Sequence, residues 1–315
     1  MKQNLKVLIT GATGFVGSHL IPLFDPSEYN VYGTSFPQKP LRSQKDIFFL
    51  DIRSDKKMDA VIQKTRPDWI FHLAAISNVR HSWQERKETL ETNLLGTFNL
   101  FEAARKYVPE CRILFISSSD IYGIHSPSER MLREDDSFQV VNPYAFTKVG
   151  AELLSQFYSQ IENLDIVIAR PFPHTGPGQG ADFVCADWAF QIARIERGLR
   201  EPVIKVGNIE VRRDFMDARD VVRAYLLLIQ KGKRGEVYNV CSGRAVSLKH
   251  ILELLLSFSS RKISIETDPE KIRKVDIPVL VGNNEKLKTL TSWEPQIPLE
   301  KTLGDLLDYW REKVK

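Results

Sequence analysis

Lys6-Val7-Leu8-Ile9-Thr10-Gly11-Ala12-Thr13-Gly14-Phe15-Val16-Gly17 is an apolar strand running straight into a glycine-rich turn and the start of an apolar helix. That stretch decides the fold. Gly11 suits a tight reversal, Gly14 lets the main chain approach a pyrophosphate, and Gly17 lets helix and strand pack closely. Phosphates would then sit on main-chain N–H groups at the positive end of a helix expected over residues 15–24. The turn with its flanking elements predicts dinucleotide binding through Gly11, Thr13, Gly14, Phe15, Val16 and Gly17.

Outward from this turn, strand-like apolar runs recur at residues 30–34, 47–50, 69–73, 113–117 and 166–169. Helical periodicity fills the gaps at 58–64, 89–107 and 145–161. Near-continuous apolar strands separated by helices imply a parallel sheet covered on both faces, with right-handed crossovers. The expected class is therefore α/β, a doubly wound Rossmann sheet whose ligands lie beyond the carboxyl ends of the strands. After Arg170 the rhythm breaks in Pro171-Phe172-Pro173-His174-Thr175-Gly176-Pro177-Gly178-Gln179-Gly180, which suits neither a helix nor a central strand. Helices at 186–197, 219–231, 248–258 and 299–311 then mix with strands at 202–206, 209–215, 236–240 and 263–267. Residues 1–170 read as a dinucleotide-binding domain and 171–315 as a smaller lobe, partly interwoven with the first through strand 236–240.

Bulk composition narrows the class. The chain has 315 residues, 44 Lys and Arg against 40 Asp and Glu, and a net charge of +4. No polybasic run stands out, which argues against a nucleic-acid surface. Cys111, Cys185 and Cys241 lack metal-ligand spacing and suggest a reducing compartment without disulfides. No signal peptide and no membrane-length apolar run is read, so a cytoplasmic protein is expected. His81, His125 and His250 read as ordinary loop or helix residues, His174 as a loop residue held by the main chain or else a sugar contact, and no metal is expected.

The chemistry concentrates in Tyr144-Ala145-Phe146-Thr147-Lys148 and the upstream Ser117-Ser118-Ser119. Positions i and i+4 share a helix face, so Tyr144 and Lys148 can point into one site. A nearby ammonium would lower the tyrosine pKa from ~10 toward a working range. The serines end a strand at the carboxyl edge of the sheet, where a hydroxyl can polarise a bound carbonyl.

With these motifs the chain resembles the extended short-chain dehydrogenase/reductases that act on nucleotide sugars, over nearly its whole length. Further marks are Asp51-Ile52, His72-Leu73-Ala74-Ala75, Asn93 within Thr92-Asn93-Leu94-Leu95-Gly96-Thr97, Asp120-Ile121-Tyr122-Gly123, Asn142-Pro143 and Arg170-Pro171. The resemblance implies Ser118, Tyr144 and Lys148 as catalytic residues. It adds Asp51, Ile52, Leu73, Ala74, Ala75, Asn93 and Ser117 to the cofactor site, and Ser119 to the substrate site.

The second lobe resembles GDP-4-keto-6-deoxy-D-mannose reductases. His174-Thr175-Gly176-Pro177-Gly178-Gln179, Lys205-Val206-Gly207-Asn208, Arg212-Arg213-Asp214-Phe215 and Ile272-Arg273-Lys274-Val275-Asp276 carry that likeness. It implies substrate contacts from Asp120, Pro173, Gln179, Lys205, Asn208, Arg213 and Arg273. Arg213 and Arg273 suit a diphosphate through bidentate charge-assisted bonds, or else pair structurally with Asp214 or Asp276. Pro173 stands where the family usually has asparagine, and Lys274 where it usually has proline.

Tyr32-Gly33-Thr34-Ser35-Phe36 ends its strand without an acid and is followed by Lys39 and Arg42, which favours NADPH over NADH. The implied reaction is reduction of a GDP-linked 4-keto-6-deoxy sugar to GDP-D-rhamnose. The alternatives are a GDP-mannose 4,6-dehydratase using Asp120, a nucleotide-sugar 4-epimerase, and a cofactor-binding regulatory subunit without catalysis. The family further implies a homodimer in which helices 89–107 and 145–161 form a four-helix bundle.

Overall fold

The structure is a computed structural model that describes residues 4–36, 46–125, 130–272 and 275–314. Its first part alternates strands and helices. The strands are β1 (Leu5–Thr10), β2 (Tyr29–Ser35), β3 (Ile47–Phe49), β4 (Trp69–His72), β5 (Arg112–Ile116) and β6 (Asp165–Pro171). The helices are α1 (Phe15–Leu20), α2 (Asp55–Thr65), α3 (Val79–Gln84), α4 (Arg86–Leu90), α5 (Gly96–Tyr107) and α6 (Pro143–Gln160). Then follow β7 (His174–Thr175), α7 (Val184–Glu196), β8 (Val203–Val206), β9 (Arg212–Arg213), β10 (Met216–Asp217), α8 (Ala218–Lys231) and β11 (Val237–Val240). The chain closes with β12 (Val246–Ser247), α9 (Leu248–Ser257), β13 (Ser264–Thr267), β14 (Val279–Leu280), α10 (Glu285–Thr291) and α11 (Leu299–Lys313).

Seven parallel strands form one sheet in the order β11-β6-β5-β4-β1-β2-β3. Alternate side chains on each strand serve opposite faces, because the strand repeat is two residues. Leu8, Ile113, Phe115, Ile166 and Ile168 pack with α2, α5 and α6. Val7, Ile9, Leu114, Val167 and Ala169 pack with α1, α8 and α10. This is the doubly wound Rossmann fold, and the order of the chain reverses between β1 and β4. A smaller α/β lobe gathers α7, α9 and α11 over its own core. Between that lobe and the carboxyl edge of the sheet runs a cleft of about 1080 Å³.

Several sequence expectations are corrected. The helix expected over 15–24 ends at Leu20 and continues as a 3-10 turn, Ile21–Leu23. Pro22 lies there, and its missing N–H and fixed φ cannot continue α-helical bonding. The helix expected over 89–107 is interrupted by a π-helical turn at Glu91–Leu95, between α4 and α5. Asn93 in that turn spends its side chain on other elements, as described below. The strand expected over 209–215 shrinks to β9, with β10 following in a separate small sheet, and α3, β7, β12, β14 and α10 stand where the sequence pattern predicts no element. These pieces are too short to carry a periodic signal.

Candidate active site

The glycine turn is shaped by close approaches. Gly11 adopts φ +71°, and a Cβ there would stand 3.0 Å from the main chain of Ala74. A Cβ on Gly17 would stand 2.5 Å from the carbonyl oxygen of Ala12, so helix and strand meet with no room for a side chain. Gly14 is extended at the start of α1 and donates its N–H to the Gly11 carbonyl at 3.0 Å. Gly11, Gly14, Phe15, Val16 and Gly17 all line the cleft. The turn thus leaves an open cradle where a side chain at Gly14 would intrude, which fits a dinucleotide's pyrophosphate. Thr13 is turned elsewhere and donates its hydroxyl to Ser35 Oγ at 2.8 Å. Thr34 Oγ1 accepts from the Gly11 N–H at 3.2 Å, so these hydroxyls brace the turn.

The other residues expected in the cofactor site divide. Leu73 and Ala75 line the cleft. Ala74 does not, and its N–H donates to Thr10 Oγ1 at 3.2 Å. Asp51 forks onto Arg53, with Nη2 to Oδ2 at 2.8 Å, and that hydrogen bonding holds the carboxyl below its usual range. Ile52 is buried against the position where Gly96 leaves space. Asn93 is a strut: it accepts from Ile76 N at 2.8 Å and donates to Ile76 O and Thr147 Oγ1, both at 3.0 Å. Lys39, Arg42 and Arg273 lie outside the described residues.

The catalytic candidates do converge. Asn142 Oδ1 accepts from Ala145 N at 2.7 Å and caps α6, while Pro143 occupies the first turn, where it loses nothing. Tyr144 and Lys148 therefore leave one face of α6 and line the cleft beside Ser117, Ser118, Ser119 and Asp120, which follow β5. Lys148 Nζ donates to the carbonyl of Ile116 at 2.8 Å, and Ser118 Oγ accepts from Asp120 N at 3.1 Å. Burial lowers the Lys148 pKa to about 8, opposed by the charge of Glu152. The expected depression of the tyrosine pKa is overturned. Burial, and then the negative charge of Asp120, push the Tyr144 phenol upward against a hydrogen bond with Ser118. Tyr144 is thus a neutral phenol, ready to donate.

Beneath these residues lies a buried network that the sequence reading missed. Glu152 Oε1 meets Arg170 Nη2 at 2.6 Å, and its Oε2 accepts from Ser117 Oγ at 2.6 Å. Arg170 also donates to Tyr122 Oη at 2.7 Å, which donates to Asn239 Oδ1 at 2.6 Å. Glu152 stands one further helical step along the face of Tyr144 and Lys148, and that spacing was the available signal.

In the second lobe Pro173, Gln179, Asn208 and Arg213 line the cleft, whereas Lys205 is exposed on β8 away from it. Gln179 Oε1 accepts from Thr175 Oγ1 at 2.6 Å and its amide donates to His174 O at 3.0 Å, so it shapes its own loop. Asn208 donates to Asp276 Oδ2 at 3.4 Å. Arg213 pairs with Asp276 at 3.0 Å and donates to Ile277 O at 2.6 Å. Asp214 instead accepts from Ser242 and Gly243, and burial raises its pKa to about 6. His174 Nδ1 bonds Phe172 O at 2.9 Å, and its ring stacks on Phe15 at 6.1 Å, which joins the two sides of the cleft. Among the described residues no group of three His, Cys, Asp or Glu side chains is placed to hold a metal.

Known proteins are similar to this chain in sequence and in fold. A GDP-6-deoxy-D-mannose reductase of Pseudomonas aeruginosa is 34% identical over 310 residues, 98% of each chain. A GDP-6-deoxy-D-talose 4-dehydrogenase of Aggregatibacter actinomycetemcomitans is 28% identical over 285 residues, 90% of each chain. The structure of RMD from Pseudomonas aeruginosa complexed with NADPH superimposes with a TM-score of 0.87 at 32% identity, covering 99% of this chain and 100% of that one. The family profile described as GDP-mannose 4,6 dehydratase matches residues 8–306, and the chain belongs to that family.

Proposed function

We propose that the protein reduces the C4 ketone of a GDP-linked 4-keto-6-deoxy-hexose with NADPH or NADH, giving GDP-D-rhamnose. The carrying observation is the convergence of the buried Tyr144 phenol, Ser118 and Lys148 on one wall of the cleft, Lys148 one helical turn from Tyr144. The likeness to GDP-6-deoxy-D-mannose reductase supports the substrate class, and the likeness to a complex with NADPH supports the cofactor.

The nicotinamide, when bound, supplies the hydride that becomes the new C4–H bond. Ser118 donates a hydrogen bond to the carbonyl oxygen and orients it. Tyr144 transfers its phenolic proton to that oxygen as the C=O bond becomes a C–O single bond, which leaves a phenolate to be reprotonated from solvent. Lys148, charged below about pH 8, stabilises that phenolate and holds the nicotinamide ribose hydroxyls. Acid help of this kind is worth ~10²–10⁴-fold. Gly14 keeps a side chain out of the pyrophosphate's path, Gly11 and Gly17 allow the close main-chain packing that shapes the turn, and Arg213 and Asn208 face the nucleotide end.

The division near residue 170 separates most of the cofactor site from the nucleotide-sugar lobe, while α8 and β11 return to the dinucleotide-binding sheet. The homodimer is formed by α5 and α6, whose outer faces expose Phe98, Phe146, Leu153 and Phe157, with Leu95 just before α5 and Ile161 just after α6. Such a row of large apolar side chains is what a four-helix bundle between two copies would cover. Three free, buried cysteines suit a reducing, cytoplasmic setting.

A dehydratase converts GDP-mannose with no added reductant, because it recycles its own cofactor. The protein should leave GDP-mannose untouched and oxidise one NAD(P)H per 4-keto-6-deoxy sugar supplied. A 4-keto product formed from GDP-mannose alone would overturn the reductase reading and make Asp120 the base.

A further inference from the structure

Among the described residues whose buried side-chain polar atoms have no hydrogen-bond partner, only Tyr225 lines the cleft. Its ring is 1% exposed, on α8. An unmade hydrogen bond at a buried hydroxyl is costly, so such a group in a binding cleft points to a partner that arrives with the ligand. Burial, and secondarily the neighbouring Tyr144 phenol, push its pKa upward, so the hydroxyl keeps its proton and can donate.

The side from which Tyr225 approaches selects the partner. Tyr144 and Lys148 come from α6, on the sheet face that packs α2 and α5. Tyr225 comes from the opposite face, where α8 packs with α1. The sugar's C4 oxygen must lie with Ser118 and Tyr144, because those hydroxyls handle it. A nicotinamide held there would present one ring face to the sugar and could turn an edge toward the side of the cleft from which α8 brings Tyr225. The polar group it carries there is the carboxamide, whose oxygen accepts hydrogen bonds.

We propose that Tyr225 is a cofactor-binding residue whose hydroxyl donates to the carboxamide oxygen of bound nicotinamide, fixing which ring face meets the sugar. The proposal rests on the cofactor reading above and not on which sugar is reduced.

Tyr225→Phe removes the hydroxyl and keeps the ring. Isothermal titration of the purified variant should show NADPH bound ~3- to 10-fold more weakly, the size of one neutral hydrogen bond. 2′-Phospho-ADP-ribose, which lacks the nicotinamide, should bind variant and wild type alike. Without ligand the variant should melt at the same temperature or higher, because an unpartnered buried hydroxyl has gone. Unchanged NADPH affinity, equal weakening of both ligands, or a melting temperature several degrees lower would each overturn the assignment. Wild-type protein that binds neither ligand would instead overturn the cofactor reading on which it rests.

Discussion

Glu152 and Arg170 meet at 2.6 Å under the candidate active site, with side chains 0% and 2% exposed. The pair ties α6 to β6, and through Ser117 Oγ it also ties down the segment after β5. These are the elements that carry Tyr144, Lys148 and Ser118. Removing one partner of a buried ion pair leaves the other charge uncompensated. Glu152→Ala should therefore lower unfolding free energy by ~3–5 kcal/mol, read from urea denaturation. A loss below ~1 kcal/mol would show that water reaches Arg170 and that the strut is not built as described.

The Lys148 ammonium sets a pH limit. Its folded pKa is lowered from 10.5 to about 8, mainly by burial. The charged form is present below that value and lost above it, so kcat/KM for carbonyl reduction should fall as pH rises through about 8. Stability moves the other way for this group alone. Between about 8 and 10.5 the unfolded chain binds more protons, so the contribution of Lys148 to stability increases with pH across that window. A pH profile of kcat/KM measured at saturating NADPH checks the first statement. A rate flat well past pH 9 would contradict it. Tyr144→Phe should lower turnover by ~10²-fold or more across the whole profile while leaving NADPH bound.

Two glycines of the turn should fail in different ways. At Gly17 a Cβ would stand 2.5 Å from a main-chain oxygen, and the backbone itself must shift. Gly17→Ala should cost ~1–3 kcal/mol of stability, read as a lower melting temperature. At Gly14 the nearest atom to a Cβ is the Gly11 carbonyl oxygen at 3.1 Å, a tight contact but a smaller intrusion. Gly14→Val should stay folded and lose NADPH binding in a fluorescence titration, because its branches occupy the pyrophosphate cradle. Retained affinity in a folded Gly14→Val protein would make the turn purely structural.

Local signals in the sequence determined the sheet, the glycine turn and the candidate catalytic pair. An apolar run needs only its neighbours to read as a buried strand. Asn142 and Pro143 announce a helix start, and the step from Tyr144 to Lys148 places two side chains on one face through the helical repeat alone. The tertiary structure decided which partner each charge and hydroxyl takes. Arg213 satisfies itself on Asp276, while Asp214 is taken up by Ser242 and Gly243. Lys205 is exposed and does not line the cleft, Glu152 finds Arg170 across two elements, and Tyr225 reaches the cleft from the far face of the sheet. Periodicity is a property of a short stretch of chain. Burial, desolvation and the choice among several possible partners depend on distances set only once distant segments have packed together.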